Sequence, residues 1–335
     1  MAKPLNLITD VSGIRVGNTA DAAVASGVTV ILIEAPNVAS GVTRGGAPGS
    51  RDAALLEPEM TVRGVDAVVL SGGSLFGLDA AGGVVNFLRA RGIGLKIGTT
   101  NIPVAVQAIT FDLMNGGDKD WGRAPPYWEM GWVAAERATP DPFPLGTTGG
   151  GWGATTANLK GGLGSASMTT RTGFTVGAIA VVNAVGMTTI GDSPHFWAAP
   201  YEIGNEFGGR GLPTVVSPQA LDMRIKGGAP PSTTIALIAT DAVLTKSQAK
   251  RLAIMADDGL ARAVRPAHAP MDGDTVFAIA TLRKPLRDES LDLTEIGLAA
   301  GDCLTRAIAR GVYEATALPF PSALPAWRDR FATAS

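Results

Sequence analysis

Five short segments, apolar and β-branched, constrain most tightly what this chain can fold into. They are "GVTVILIE" (27–34), "VDAVVL" (65–70), "FTVGAIAVVNAVG" (174–186), "TTIALIATD" (233–241) and "TVFAIATL" (275–282). Runs of this length and composition read as buried strands. Between them lie segments of helical period. "LFGLDAAGGVVNFLRARG" (75–92) puts Leu75, Leu78, Val85 and Leu88 on one helical face, with basic residues at its end. "TKSQAKRLAIMADDGLARAV" (245–264) brings Leu252, Met255 and Leu260 towards one side, and "LDLTEIGLAAGDCLTRAIARGVYEA" (291–315) is a long amphipathic helix. Helices paired with buried strands in both halves predict an α/β fold of sheets covered by helices. The stretch 99–150, rich in Pro, Gly and Trp, gives no clear period.

Composition removes several function classes. The 335-residue chain is 46% hydrophobic and 17% charged, enough apolar surface for a large core. A net charge of −2 argues against nucleic acid, which needs a basic surface. A single cysteine, Cys303, excludes an internal disulfide, and His195 and His268 lie far apart in sequence. No metal and no organic cofactor are therefore expected. "MAKPLNLITDVSG" lacks the apolar core of a signal peptide, and no apolar run approaches the ~20 residues that span a bilayer. The expectation is a soluble cytoplasmic protein with no membrane partner.

The 43 glycines cluster in "TRGGAPGS", "LSGGSLFG", "LGTTGGGWG" and "LKGGLGSAS". Such clusters mark tight turns or close approach of backbone to a ligand. They match neither a P-loop nor a dinucleotide fingerprint, and "GGSLFG" around Ser74 is not a GxSxG nucleophile elbow. Polar residues embedded in apolar context remain: Asn183 in "AIAVVNAVG", Lys160 between glycines in "ANLKGGLGSAS", Asp272 and Asp274 in "MDGDTVFAIAT", and Thr233 opening a strand after "GAPPS". Each has a plain structural alternative: a core amide, a solvated lysine, a turn, a β-branched strand residue. Together they hold a nucleophile, an oxyanion donor, a cation and two acids, the parts of acyl transfer without histidine. The chemistry that fits is N-terminal-nucleophile hydrolysis. A threonine at a chain end carries its own base, an α-amine whose ordinary pKa of about 8 lies near neutrality. An internal threonine reaches that state if its hydroxyl attacks the preceding carbonyl, here that of Ser232, and water hydrolyses the ester.

The stretches "LITDVSGIRVGN", "GVTRGGAPGSRD", "LSGGSLFGLDAAGGV", "DSPHFWAAPYEIGNEFGG" and "STTIALIATDA" together resemble peptidase family S58, the P1 family. The group takes in L-aminopeptidase/D-esterases, β-aminopeptidases and endo-type nylon-oligomer hydrolases. The resemblance spans nearly the whole chain. It implies a four-layer α/β/β/α sandwich like that of N-terminal-nucleophile hydrolases, one catalytic domain over 1–335, autocleavage into 1–232 and 233–335, and a homo-oligomer of processed pairs. By motif, Thr233 is similar to the nucleophile, Asn183 to the oxyanion asparagine, Lys160 to the family lysine, and Asp272 and Asp274 to the acidic pair that orients the nucleophile. Asp272-Gly273-Asp274 resembles the nylon-oligomer branch, where aminopeptidases carry Ser-Gly-Glu. Gln107 falls where aminopeptidases hold the substrate amine with a glutamate, and Phe111 where the nylon-oligomer enzyme has tyrosine. Ser71, Ser74 and Trp197 are further pocket candidates, with Trp128 and Trp152 beside them.

The implied activity is hydrolysis of short peptides or peptide-like linear amides, 6-aminohexanoate oligomers among them. An acyltransferase using the same acyl-threonine and an unprocessed binding protein of the same fold are the alternatives. The latter is raised by Ser232, which adds a side chain beside the scissile carbonyl where the family commonly has glycine.

Overall fold

A computed structural model describes residues 4–228 and 230–331. In chain order the strands are β1 (Ile14–Asp21), β2 (Ser26–Ile33), β3 (Val38–Thr43), β4 (Ser50–Arg51), β5 (Ala67–Ser71), β6 (Leu95–Ile97), β7 (Thr100–Ile102), β8 (Ala105–Ile109), β9 (Gly162–Thr169), β10 (Thr175–Asn183), β11 (Thr233–Ala242) and β12 (Thr275–Lys284). The helices are α1 (Ala80–Arg89), α2 (Tyr127–Glu136), α3 (Lys246–Ala263), α4 (Glu289–Tyr313) and α5 (Trp327–Phe331). One sheet has the order β1-β2-β5-β8-β4 and the other β3-β12-β11-β10-β9, while β6 and β7 form a small separate ribbon.

Side-chain alternation along the strands sorts the interior into three layers of core. In β11, Ile235, Leu237 and Ala239 face the first sheet and pack with Val68, Leu70, Val106 and Ile179. The alternate residues Ala236 and Ile238 face α3 and α4 and pack with Leu252, Leu260, Leu304 and Ile308. On the first sheet, Val28, Val30, Ala67 and Val69 turn outward to Val84 and Leu88 of α1 and Met130 and Ala134 of α2. The result is helices, sheet, sheet, helices: the four-layer α/β/β/α sandwich.

Local sequence fixes the helix limits. Thr245 caps α3 by accepting the Gln248 N–H, with the Gln248 side chain returned to the Thr245 N–H. Asp288 caps α4 by accepting from Ser290 N and Leu291 N. Pairing of α1 with α2 depends on glycine, since a Cβ at Gly83 would lie 1.9 Å from the Trp128 carbonyl oxygen. The expected helix from Leu75 differs in one respect: Ser74–Asp79 is a 3-10 turn entered through Gly73 (φ +85°) and Ser74 (φ +52°). Leu75 is accordingly exposed rather than on the buried face. Among the described residues no helix is long and apolar enough to cross a membrane.

Candidate active site

Asn183 is the last residue of β10 and Thr233 the first of β11, and the antiparallel register sets them directly opposite each other. Alternation puts both on the face that carries Ile179, Val181, Ile235 and Leu237, so they emerge side by side at the end of the gap between the two sheets. The peptide before Thr233 is held from the other side by the loop ahead of β12. Ser232 N–H donates to the Met271 carbonyl (3.1 Å), and Gly273 N–H donates to the Ser232 carbonyl (2.9 Å). The Thr233 hydroxyl donates to that same carbonyl oxygen. The Thr233 hydroxyl, the carbonyl ahead of it and a backbone donor on that oxygen are thus in one place. Gly273 is required there, because a Cβ on it would stand 2.8 Å from Thr233 Oγ1.

The two acids are buried on either side of that glycine. Both oxygens of Asp274 are occupied: Oδ1 accepts the Thr234 N–H (2.7 Å), and Oδ2 accepts from the backbone and the ring Nδ1 of His268 (3.0 Å each). Asp272 takes the Ala269 N–H on Oδ2 (3.1 Å), while its buried Oδ1 has no hydrogen bond among the described residues. Burial, and secondarily the charge of Asp274, push Asp272 up to about 7.

Lys160 is not solvated. It is 1% exposed, and its ammonium donates to the carbonyls of Gly151 (3.0 Å), Ala154 (2.8 Å) and Gly161 (2.8 Å). Asn183 spreads its amide across three partners. Nδ2 donates to the Phe111 carbonyl (3.0 Å), and Oδ1 accepts from Thr155 N–H (3.0 Å) and from Lys226 Nζ (2.9 Å). Lys226 Nζ also donates to the Asn183 carbonyl (3.0 Å). Burial pushes both lysines down to about 7. A cavity of about 290 Å³ opens here, with Phe111, Asp112, Thr155, Lys160, Lys226 and Pro231 in its wall. Part of that wall is the segment just ahead of Thr233, which is itself buried.

Of the expected residues, Thr233, Asn183, Asp272 and Asp274 meet through hydrogen bonds or strand pairing, and Lys160 and Phe111 line the adjoining cavity. Four pocket candidates lie outside its wall. Gln107 and Ser71 are buried in the first sheet, where Gln107 Nε2 donates to Ser71 Oγ (2.8 Å) and Gly77 O (2.6 Å), and its Oε1 accepts the Ala81 N–H (3.1 Å). That network ties β5 and β8 to the start of α1. Ser74 begins the 3-10 turn, and Trp197 lines a different recess with Arg265 and His268. Trp128 is half exposed on α2 and stacks on Trp132, and Trp152 follows the Gly149–Gly151 turn. Sequence reading missed Lys226, Thr155 and His268. Lys226 carries the cue that marked Lys160, a lysine followed by two glycines, in "IKGG" as in "LKGG".

The profile of peptidase family S58 matches residues 6–323. The chain is 40% identical to an uncharacterized aminopeptidase of Mycobacterium tuberculosis, over 98% of both chains. It is 27% identical to a 6-aminohexanoate-oligomer endohydrolase of Kocuria sp., over 81% of this chain and 74% of that one. Among solved structures it is similar to the L-aminopeptidase D-Ala-esterase/amidase of Ochrobactrum anthropi, described as a variant of the Ntn hydrolase fold. The TM-score is 0.70 at 23% identity, covering 96% of this chain and 90% of that one.

Proposed function

The chain belongs to peptidase family S58, and from that premise we propose that it is a self-processing amide hydrolase with Thr233 as its nucleophile. The observation that carries this is the Thr233 hydroxyl held on the carbonyl of its own preceding residue, with Gly273 N–H already donating to the same oxygen at 2.9 Å.

Processing begins when Thr233 Oγ adds to the Ser232 carbonyl carbon. Charge develops on the oxygen that the Gly273 N–H stabilises. The C–N bond breaks, its electrons and a proton leave with the nitrogen, and Ser232 remains as an ester on Oγ. Water hydrolyses that ester, giving a carboxylate on Ser232 and a free hydroxyl and amine on Thr233. In turnover the amine takes the hydroxyl proton, Oγ attacks the substrate amide, and the amine returns the proton to the leaving nitrogen; water, activated by the same amine, then hydrolyses the acyl ester and frees the hydroxyl. The amide NH₂ of Asn183, beside Thr233 in the register, serves the substrate oxyanion. Asp272 offers its open Oδ1 to the new N-terminus. Lys160 keeps a buried amino group, its pKa lowered by burial to about 7, beside the cavity, and the processed pairs assemble as a homo-oligomer.

Substrates on this reading are short peptides or linear amides that fit a cavity of about 290 Å³. The likeness to both an aminopeptidase and an oligomer endohydrolase supports that class. Thr233→Ala tests the assignment. The reading expects a chain that stays whole on a denaturing gel and has no amidase activity while the wild type is cut and active. A cut or active Thr233→Ala protein would exclude it.

A further inference from the structure

His268 stands outside the hydrolytic scheme above, yet it is built into the site. Its backbone is in the left-handed region (φ +57°), which aims both its N–H and its ring Nδ1 at Asp274 Oδ2, each at 3.0 Å. The other ring nitrogen, Nε2, meets Asp257 Oδ2 of α3 at 3.4 Å. The ring is a quarter exposed, whereas Asp274 is nearly fully buried. Other charges also face this place. Arg44, ahead of β4, approaches Asp257 Oδ2 at 3.7 Å, and Arg262 of α3 and Arg265 share the recess that His268 lines. Arg262 is neutralised by Asp302 at 3.0 Å. Beyond Asp274 lie Asp272 and, past it, Lys226.

We propose that His268 is a positioning residue: its imidazolium, clamped between Asp257 and Asp274, holds Asp274 as the ionised carboxylate of the pair and leaves the pair's proton on Asp272. This role rests on Thr233 being the nucleophile. Hydrogen bonding divides the two acids in this sense. Three donors converge on Asp274, which favours its charged form, while Asp272 takes the Ala269 N–H on Oδ2 and, among the described residues, nothing on its buried Oδ1. The hydrogen bonds to Asp257 and Asp274 hold the imidazole protonated, up to about 10, across the working range. The consequence falls on the Thr233 amine. Two ionised carboxylates beside it would keep it as ammonium, which cannot accept the hydroxyl proton. One ionised and one neutral acid leave it free to act as the base.

The test is the pH profile of kcat/KM for a chromogenic aminoacyl anilide, using processed wild type, His268→Gln, His268→Lys and Asp257→Asn. Removing a positive charge raises the pKa of every group nearby, so His268→Gln is expected to move the acid limb to higher pH by about one unit. Below that limb the loss is about tenfold, with kcat/KM recovered above it. His268→Lys restores the limb, and Asp257→Asn, which removes a negative charge from the same cluster, shifts it to lower pH by less. A uniform loss at every pH in both His268→Gln and Asp257→Asn would mean a merely structural role and overturn the proposal, as would an unmoved limb. Should His268→Gln fail to fold, Asp257→Asn alone decides by the same criterion. Thr233→Ala, run in parallel, separates the two claims: activity there defeats the nucleophile assignment whatever His268 does.

Discussion

Lys226 decides which way the Asn183 amide faces. With Lys226 Nζ and Thr155 N–H both donating to Oδ1, the NH₂ group must take the other side, where it meets the Phe111 carbonyl. Lys226→Met leaves one donor on that oxygen and frees the amide to turn. The expected result, read by steady-state kinetics of the processed enzyme, is a fall in kcat of about tenfold with KM little changed, less than the loss on deleting an oxyanion donor outright. Gly273→Ala acts on the Thr233 hydroxyl itself, because the added methyl would meet Oγ1 at 2.8 Å. Processing followed by gel should slow by at least about tenfold, a cost of ~1.4 kcal/mol in the barrier. Lys160 carries a prediction about pH. Burial lowers its pKa to about 7 from the ordinary 10.5, so between those values the unfolded chain holds a proton that the folded chain lacks. Unfolding free energy should therefore rise with pH through that window, by at most about 1.4 kcal/mol per unit from this group. In an uncleavable Thr233→Ala background, denaturation from pH 7 to 9 should show a shallower rise once Lys160 is changed to Met.

At this scale the sequence was informative where a polar residue interrupted an apolar run, which is how Asn183 and Thr233 stand out. It was uninformative where chemistry depends on a loop folding back. Nothing in "RPAHAPMDGD" says that His268 turns onto Asp274 six residues later, or that the Gly273 N–H faces Ser232. Gln107 shows the converse: it is a polar residue in an apolar strand whose amide is taken up by β5 and the turn into α1.

Elements were legible in proportion to their period. The runs at 233–241 and 275–282 become β11 and β12, and the apolar stripe of 245–264 becomes α3 with its capping box. Thr245→Ala removes the acceptor for Gln248 N–H and should cost about 1 kcal/mol of stability, measured by chemical denaturation. The 99–150 stretch resisted reading because α2 is short and lies against α1 through Gly131 and Gly83. Backbone proximity replaces the usual stripe of large apolar residues there. The 3-10 turn at Ser74–Asp79 was hidden for a related reason. Its apolar spacing imitates a helix, but two successive positive φ values at its entrance prevent one.

For the whole molecule, what matters is where two sheets end together. Three apolar cores close the sandwich, and the strand ends of β10 and β11 leave Asn183 and Thr233 at the edge of the middle one. Thr233 is buried there, with Pro230 and Pro231 of its own upstream segment in the wall of the adjoining cavity. Layering could be inferred from helices alternating with buried strands. The pairing of β10 with β11 across the intervening residues 184–232 could not, since register is a property of the assembled sheet. That pairing is what brings one asparagine and one threonine together. The most direct measurement is the intact mass of the protein under denaturing conditions, taken before and during turnover of a slow ester substrate. The account predicts two fragments, 1–232 and 233–335, with the acyl group of the substrate appearing on the second. A single uncut chain that turns substrate over, or an acyl adduct on the first fragment, would contradict it.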